Sequence, residues 1–263
     1  MLGAIAGDII GSRFEGHAGP PRDFTLFHPA CCFTDDTVCT VAVADALLGD
    51  GDFAASLRKF VRRHPARGYG GMFLHWALSE DAPAYGSWGN GAPMRVAAVG
   101  WLARHEGEAL QLAAAQAAVS HDHPDAIAAA QAVALAILLG RSGYPRAAVR
   151  QRLMDDFAYD LTPERALNRS GFDISAAGTV PPAITAVLEA ETWEDAVRTT
   201  VCLGGDTDTL ACIAGAVAEV IHGLPRDIAD SARAYLTDDL RTVLERFETA
   251  VSSVSHGWLG KAL

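Results

Sequence analysis

The chain has 263 residues, 50% of them hydrophobic and 20% charged, enough to bury one sizeable core, which excludes a disordered chain and a disulfide-stapled mini-protein. A formal net charge of −11, with no long run of Lys or Arg, excludes simple electrostatic binding to a nucleic-acid backbone. Five cysteines, Cys31, Cys32, Cys39, Cys202 and Cys212, lack a C-x-x-C spacing and read as core thiols of a reducing compartment, so a cytoplasmic location is expected.

Leu2, Ile5, Ala6, Ile9 and Ile10 recur at helical spacing and predict an amphipathic helix ending near Gly11. Asp8 inside this apolar stretch, with no basic segment before it, marks a packed helix rather than a signal peptide. Residues 13–33 read as loop. Helices are predicted over 38–48, 53–63 with Pro65 as the stop, and 72–78; a Gly-rich stretch, 85–93, separates the last from a helix over 94–104. Two Ala-rich helices, 108–119 and 125–139, flank Ser120-His121-Asp122-His123, and Pro124 suits the first helical position. The apolar run 126–139 contains Gln131 and falls short of the ~20 residues that cross a bilayer, so no membrane partner is expected. Further helices are predicted over 145–157, 182–190, 193–203, 210–221, 226–236 and 238–251. Trp76, Trp101, Trp193 and the stripe Phe53, Leu57, Phe60 read as core. No segment shows sustained strand alternation. The expectation is an all-α, compact multi-helix bundle, larger than a four-helix plan, as a single domain over 1–263.

Two short clusters stand out from this helical background. Thr34-Asp35-Asp36-Thr37 immediately precedes the helix over 38–48, where Thr and Asp serve as caps and suit the positive end of the helix dipole. Gly204-Gly205-Asp206-Thr207-Asp208-Thr209 closes one helix and opens the next, its glycines permitting a sharp turn. Four clustered carboxylates without a cation would repel one another or take up protons. Oxygen-rich clusters containing neither His nor Cys fit Mg²⁺ or Mn²⁺ better than zinc.

Taken in order, GAIAGDIIGSRFEG, FTDDT, RGYGG, YGSWGNGAPMRVA, SHDHPDAI and GGDTDTLACIAGA make the chain resemble the ADP-ribosylglycohydrolase family. Its bacterial members include the enzymes that reactivate ADP-ribosylated dinitrogenase reductase. The resemblance implies an all-α fold around a central dinuclear site, with two divalent cations, Mg²⁺ or Mn²⁺, held by Thr34, Asp35, Asp36, Asp206, Asp208 and Thr209. It implies that Asp35 and Asp36 orient the attacking water and that Glu15, by itself a solvated loop carboxylate, is a mobile gate and acid/base group. Gly86, Ser87, Trp88, Gly89 and Asn90, which alone would be a turn, match a substrate loop in which Ser87 and Asn90 meet phosphate and ribose and Trp88 packs by the base. Gly68, Tyr69, Gly70 and Gly71 match a loop near the distal ribose, with Met72 where some relatives carry a third glycine. His121 matches a phosphate-contacting histidine; His123 reads as a cap.

The expected reaction is hydrolysis of the glycosidic bond between ADP-ribose and a modified acceptor, through an oxocarbenium-like transition state. Arginine-linked protein is the first choice of substrate, and nucleic acid is expected only as a modified substrate. Two other readings compete. His64 and the His121-Asp122 pair point to a His-Asp-type metal phosphohydrolase, which leaves both acidic clusters unexplained, and a non-catalytic ADP-ribose-binding relative would have no need of Glu15.

Overall fold

Two glycine-marked helices, far apart in the chain, pack at the centre of a computed structural model that describes residues 1–168 and 171–259, the side chains of 254–259 excepted. The last four positions of the expected 1–263 domain lie outside the described residues. In chain order the helices are α1 (Leu2–Gly11), α2 (Asp35–Leu48), α3 (Phe53–Arg63), α4 (Gly71–Leu78), α5 (Gly91–Met94), α6 (Ala97–Leu102), α7 (Glu106–Ala118) and α8 (Pro124–Arg141). They continue as α9 (Arg146–Phe157), α10 (Pro163–Ala166), α11 (Ala176–Glu189), α12 (Trp193–Cys202), α13 (Thr207–Ile221), α14 (Arg226–Ala234) and α15 (Asp238–Leu259). Among the described residues the extended pairings are isolated bridges, His17 with Gly205 and Gly89 with Ser175. The fold is all-α.

Gly3, Gly7 and Gly11 lie on one face of α1, and that face meets α13 backbone to backbone. A Cβ at Gly7 would stand 1.9 Å from the Ala211 carbonyl oxygen, and one at Gly215 would stand 2.1 Å from that of Gly3. Every residue of α1 is buried, so the helix is enclosed all round rather than amphipathic as predicted. Helix α8 is long and apolar enough, by length and composition, to cross a membrane, yet it packs against α5, α6, α7, α11 and α13 as a core helix. One continuous apolar cluster extends from Met1, just before the first helix, to Phe247 on the last, and includes Trp76, Trp193, Phe53, Leu57 and Phe60; Trp101 packs against its edge.

Several boundaries differ from the sequence expectation, each for a local reason. The helix expected over 94–104 is split into α5 and α6. The Met94 carbonyl accepts from Thr40 Oγ1 at 3.3 Å and from Cys212 Sγ at 3.4 Å, so side chains take the acceptor that helix continuation would need. Helix α11 begins at Ala176 rather than at Pro182, because Ser175 Oγ caps it by accepting from Gly178 N at 3.0 Å; Pro181 and Pro182 then sit inside and each forfeits a ladder bond. The short α10 has no counterpart in the prediction, and α15 runs to Leu259 instead of residue 251. All five cysteines are free, but Cys32 is exposed on the loop before α2 rather than in the core.

Candidate active site

Asp8 is the charged residue of an otherwise apolar helix, and its burial is matched by hydrogen bonds. Its Oδ1 accepts from Thr34 Oγ1 at 2.6 Å, and its Oδ2 accepts from Thr34 N at 2.9 Å, Thr37 N at 3.2 Å and the Thr37 hydroxyl. The carboxylate therefore clamps the turn that opens α2. Thr34 caps that helix, accepting from Asp36 N at 3.3 Å, so the capping role holds while both neighbouring carboxylates remain available. Asp36 Oδ2 accepts from Thr209 Oγ1 at 3.4 Å, whereas its buried Oδ1 has no partner among the described residues.

The second acidic turn depends on Gly204 (φ 73°) and Gly205 (φ 77°), both in the left-handed region. Gly205 N donates to His17 O at 2.9 Å and Gly16 N donates to Gly205 O at 2.8 Å, tying the Glu15 loop to this turn. Asp206 stands at the cap position of α13 without capping it. Its Oδ2 instead accepts from Asn90 Nδ2 at 2.6 Å, and Asn90 also donates to Thr179 Oγ1 at 3.1 Å.

Carboxylate oxygens of Asp8, Asp36 and Asp208 lie within 4.8 Å of one another, as do those of Glu15, Asp206 and Asp208, so Asp208 belongs to both groups. Burial, and then the Asp8 charge, push the Asp35 carboxyl up to about 8. Burial and the facing Asp8 raise Asp36, and burial and Asp36 raise Asp208, well above the usual carboxylate range. Glu15 is exposed, yet desolvation, followed by the Asp206 charge, raises it as well. An all-oxygen donor set, mutual repulsion and an orphaned buried Asp36 oxygen together fit hard divalent cations.

Glu15, Asp36, Asp206 and Asp208 line a cavity of about 580 Å³ that also takes in Asp35 and Thr209, while Asp8 lies buried behind them. Gly68, Gly70, Gly71, Ser87, Gly89, Asn90 and His121 line it too, so most of the sequence-derived set converges. Four expected residues do not reach it. Thr34 is committed to Asp8 and its cap; Tyr69 packs on the core and donates to His64 O at 2.9 Å; Gly86 turns outward, its N–H donating to Asp122 Oδ1 at 2.6 Å. Trp88 is about half exposed and outside the lining. Gly89 bridges Ser175 and the Trp88 carbonyl accepts from Ala176 N at 3.0 Å, and of residues 87–89 Ser87 and Gly89 line the cavity while Trp88 does not. Apolar lining comes instead from Met72, Phe73, Tyr85, Met94, Phe172 and Ile174, with Met72, Phe172 and Ile174 exposed. Met72 was read only as a replacement in the distal-ribose loop, and the others were not read as site residues; for Tyr85 and Phe172 a lone aromatic in a loop carries no periodicity. Asp8 and Arg95 were also missed; a charge inside an apolar segment was the signal in both cases.

His123 caps α8, accepting from Asp125 N at 3.2 Å, as expected. The histidine–aspartate alternative is not assembled: His64 Nε2 pairs with Asp239 Oδ2 at 3.0 Å, and Asp122 is occupied with Gly86.

Helices enclosing a cavity with convergent carboxylates at one end and glycine and aromatic surfaces elsewhere define an all-α, acid-centred hydrolase. The chain belongs to the ADP-ribosylglycohydrolase family, whose sequence model matches residues 1–257. It is 25% identical to the ADP-ribosylhydrolase ARH3 of Xenopus tropicalis, over 89% of this chain and 90% of that protein. It is 26% identical to the human ADP-ribosylhydrolase ARH3, over 91% of this chain and 90% of that protein. A solved structure titled ADP-ribosylglycohydrolase-related protein complex superposes with a TM-score of 0.74 at 25% identity, covering 97% of each chain.

Proposed function

We propose that this hydrolase releases ADP-ribose from a modified protein, with an arginine side chain as the first-choice acceptor, by cleaving the glycosidic bond at the ribose distal to adenine. The observation that carries the reading is the convergence of Glu15, Asp36, Asp206 and Asp208 on one cavity, with Asp208 shared by two overlapping carboxylate groups. Of the expected ligands, Asp35, Asp36, Asp206, Asp208 and Thr209 would hold two divalent cations, Mg²⁺ or Mn²⁺, with Thr34 fixing the turn that presents Asp35 and Asp36. Such ions supply Lewis acidity toward the ribose hydroxyls and lower the pKa of water.

The chain's own groups divide the remaining work. Asp35 and Asp36 orient the attacking water at the anomeric carbon, and Glu15, its carboxyl raised by desolvation and Asp206, holds a proton at its carboxyl oxygen for the leaving group. Asn90 fixes Asp206 and, with Ser87 and Gly89, borders the phosphate and ribose, while Gly68, Tyr69 and Gly70 form the loop by the distal ribose. A cytoplasmic site of action is part of the proposal, supported by the free thiols.

The test is mass spectrometry of the products from a panel of defined ADP-ribosyl linkages with Mg²⁺ or Mn²⁺ added. Free ADP-ribose from the arginine-linked member is the expected product. Release from another linkage alone would reassign the acceptor; inorganic phosphate or a nucleotide monophosphate, or no release from any linkage, would overturn the reading.

A further inference from the structure

Arg95 is wholly buried at the cavity wall, and nothing in the acid-centred chemistry makes use of it. Its hydrogen bonds go to neutral acceptors: Nε to Gln116 Oε1 at 2.8 Å, and Nη2 to the Gln116 carbonyl at 2.8 Å and Ser120 Oγ at 3.0 Å. Nη1 has no partner among the described residues. Ser120 Oγ, itself wholly buried, lies 2.8 Å from His121 Nδ1, so guanidinium, hydroxyl and imidazole form a chain of three.

The proton inventory of that chain has one consistent solution. A guanidinium only donates, so Ser120 Oγ accepts from Arg95 and has one proton of its own to place. Were Nδ1 protonated it would also donate to Oγ, leaving the hydroxyl hydrogen buried without an acceptor and its desolvation unrepaid. The hydroxyl therefore donates to Nδ1, and the imidazole proton sits on Nε2. Nε2 lies at the glycine wall, 2.7 Å from where a Gly91 Cβ would stand, and has no hydrogen-bond partner among the described residues. Burial, with the Arg95 charge next, holds the ring neutral.

We infer that Arg95 and Ser120 are positioning residues that lock His121 as the Nε2–H tautomer and aim that N–H at a diphosphate oxygen of the substrate. Arg95 also brings to the cavity wall a positive charge that has no carboxylate hydrogen-bond partner and faces the Phe73 ring at 5.6 Å. This inference rests on the ADP-ribose reading of the cavity for its ligand, though not for its tautomer.

The experiment reads the two halves separately. Imidazole nitrogen chemical shifts of the wild-type protein at neutral pH should show His121 protonated on Nε2 and bare on Nδ1; the reverse assignment overturns the inference without any variant. In Ser120→Ala the tautomers should mix, and ADP should bind about 3- to 10-fold more weakly, the loss of one neutral hydrogen bond, while adenosine is unaffected. Ser120→Thr, which keeps the hydroxyl, should restore both. A mixed tautomer with unchanged ADP affinity, or equal losses for ADP and adenosine, overturns the positioning role. Failure of the wild-type protein to bind ADP-ribose at all, with the Nε2–H tautomer observed, would sink the proposed function and the diphosphate contact while leaving the proton placement in place.

Discussion

Asp208 is the one carboxylate shared by both acidic groups, and it is the residue whose replacement separates chemistry from folding. Asp208→Asn keeps the size and the oxygen that accepts from Thr209 N but removes a charge from each group. Turnover should fall about 100-fold or more, the several kcal/mol of transition-state stabilisation that a Lewis acid provides. The metal-free Tm should hold or rise, because a buried repulsion is relieved. Near-normal turnover at limiting Mg²⁺ would refute the ligand assignment. A second residue-scale question is which aromatic meets adenine. The sequence points to Trp88, while the cavity lining contains Phe172. Phe172→Ala should weaken ADP-ribose binding by ~1–3 kcal/mol, the range for base–aromatic stacking, with Trp88→Ala near neutral. Calorimetry giving the opposite ranking would show that the substrate draws Trp88 inward.

At the scale of elements, the backbone contact between α1 and α13 places Asp8 and Glu15 against Asp206 and Asp208. Gly7→Ala would push the two helices apart, since Ala211 O has no flexible end to yield. Urea unfolding should show a loss of at least ~1–3 kcal/mol, the usual cost of overpacking, and Mg²⁺ affinity should fall with it. If Gly7→Ala binds Mg²⁺ normally, the helix pair does not set the acid geometry. Helices with an apolar stripe, such as α3 and α12, were legible because their periodicity is local. The α5–α6 break was not, because it depends on Thr40 and Cys212, which come from other helices. The site was legible where motif and local turn coincide, at Asp35 and Asp36 and at Asp206, Asp208 and Thr209. It was not legible where a residue's face depends on pairing, as at Trp88, or where a charge acts only through partners distant in sequence, as with Asp8 and Arg95.

For the whole molecule, the apolar cluster running from α1 to α15 supports the proposal that the chain is a single folding unit. Far-ultraviolet dichroism and tryptophan fluorescence should therefore report one coincident unfolding transition; two separated transitions would divide the chain. His121 adds a pH term to that stability. Its folded pKa lies well below the usual imidazole value, from burial and then Arg95, so as pH falls through about 6.5 the unfolded chain takes up a proton that the folded one refuses. Its contribution is present above that pH and is lost below it. The wild-type protein should lose more stability between pH ~7.5 and ~5.5 than His121→Asn does. The acid cluster, whose raised values act in the opposite direction, cancels in that difference; equal losses would mean His121 titrates normally. The enclosure of α1 by α13 also has a consequence during translation. At ~5–20 residues per second, roughly 200 residues separate the two helices as they leave the ribosome, an interval of about 10–40 s. Throughout it α1 can pack on the start of α2 through Asp8 but lacks the helix that encloses its glycine face, and the carboxylates that share Asp208 cannot meet. Capture of the proposed cations would therefore be a late event in the protein's biogenesis, and the nascent helix is a natural client for the chaperones that shelter emerging chains.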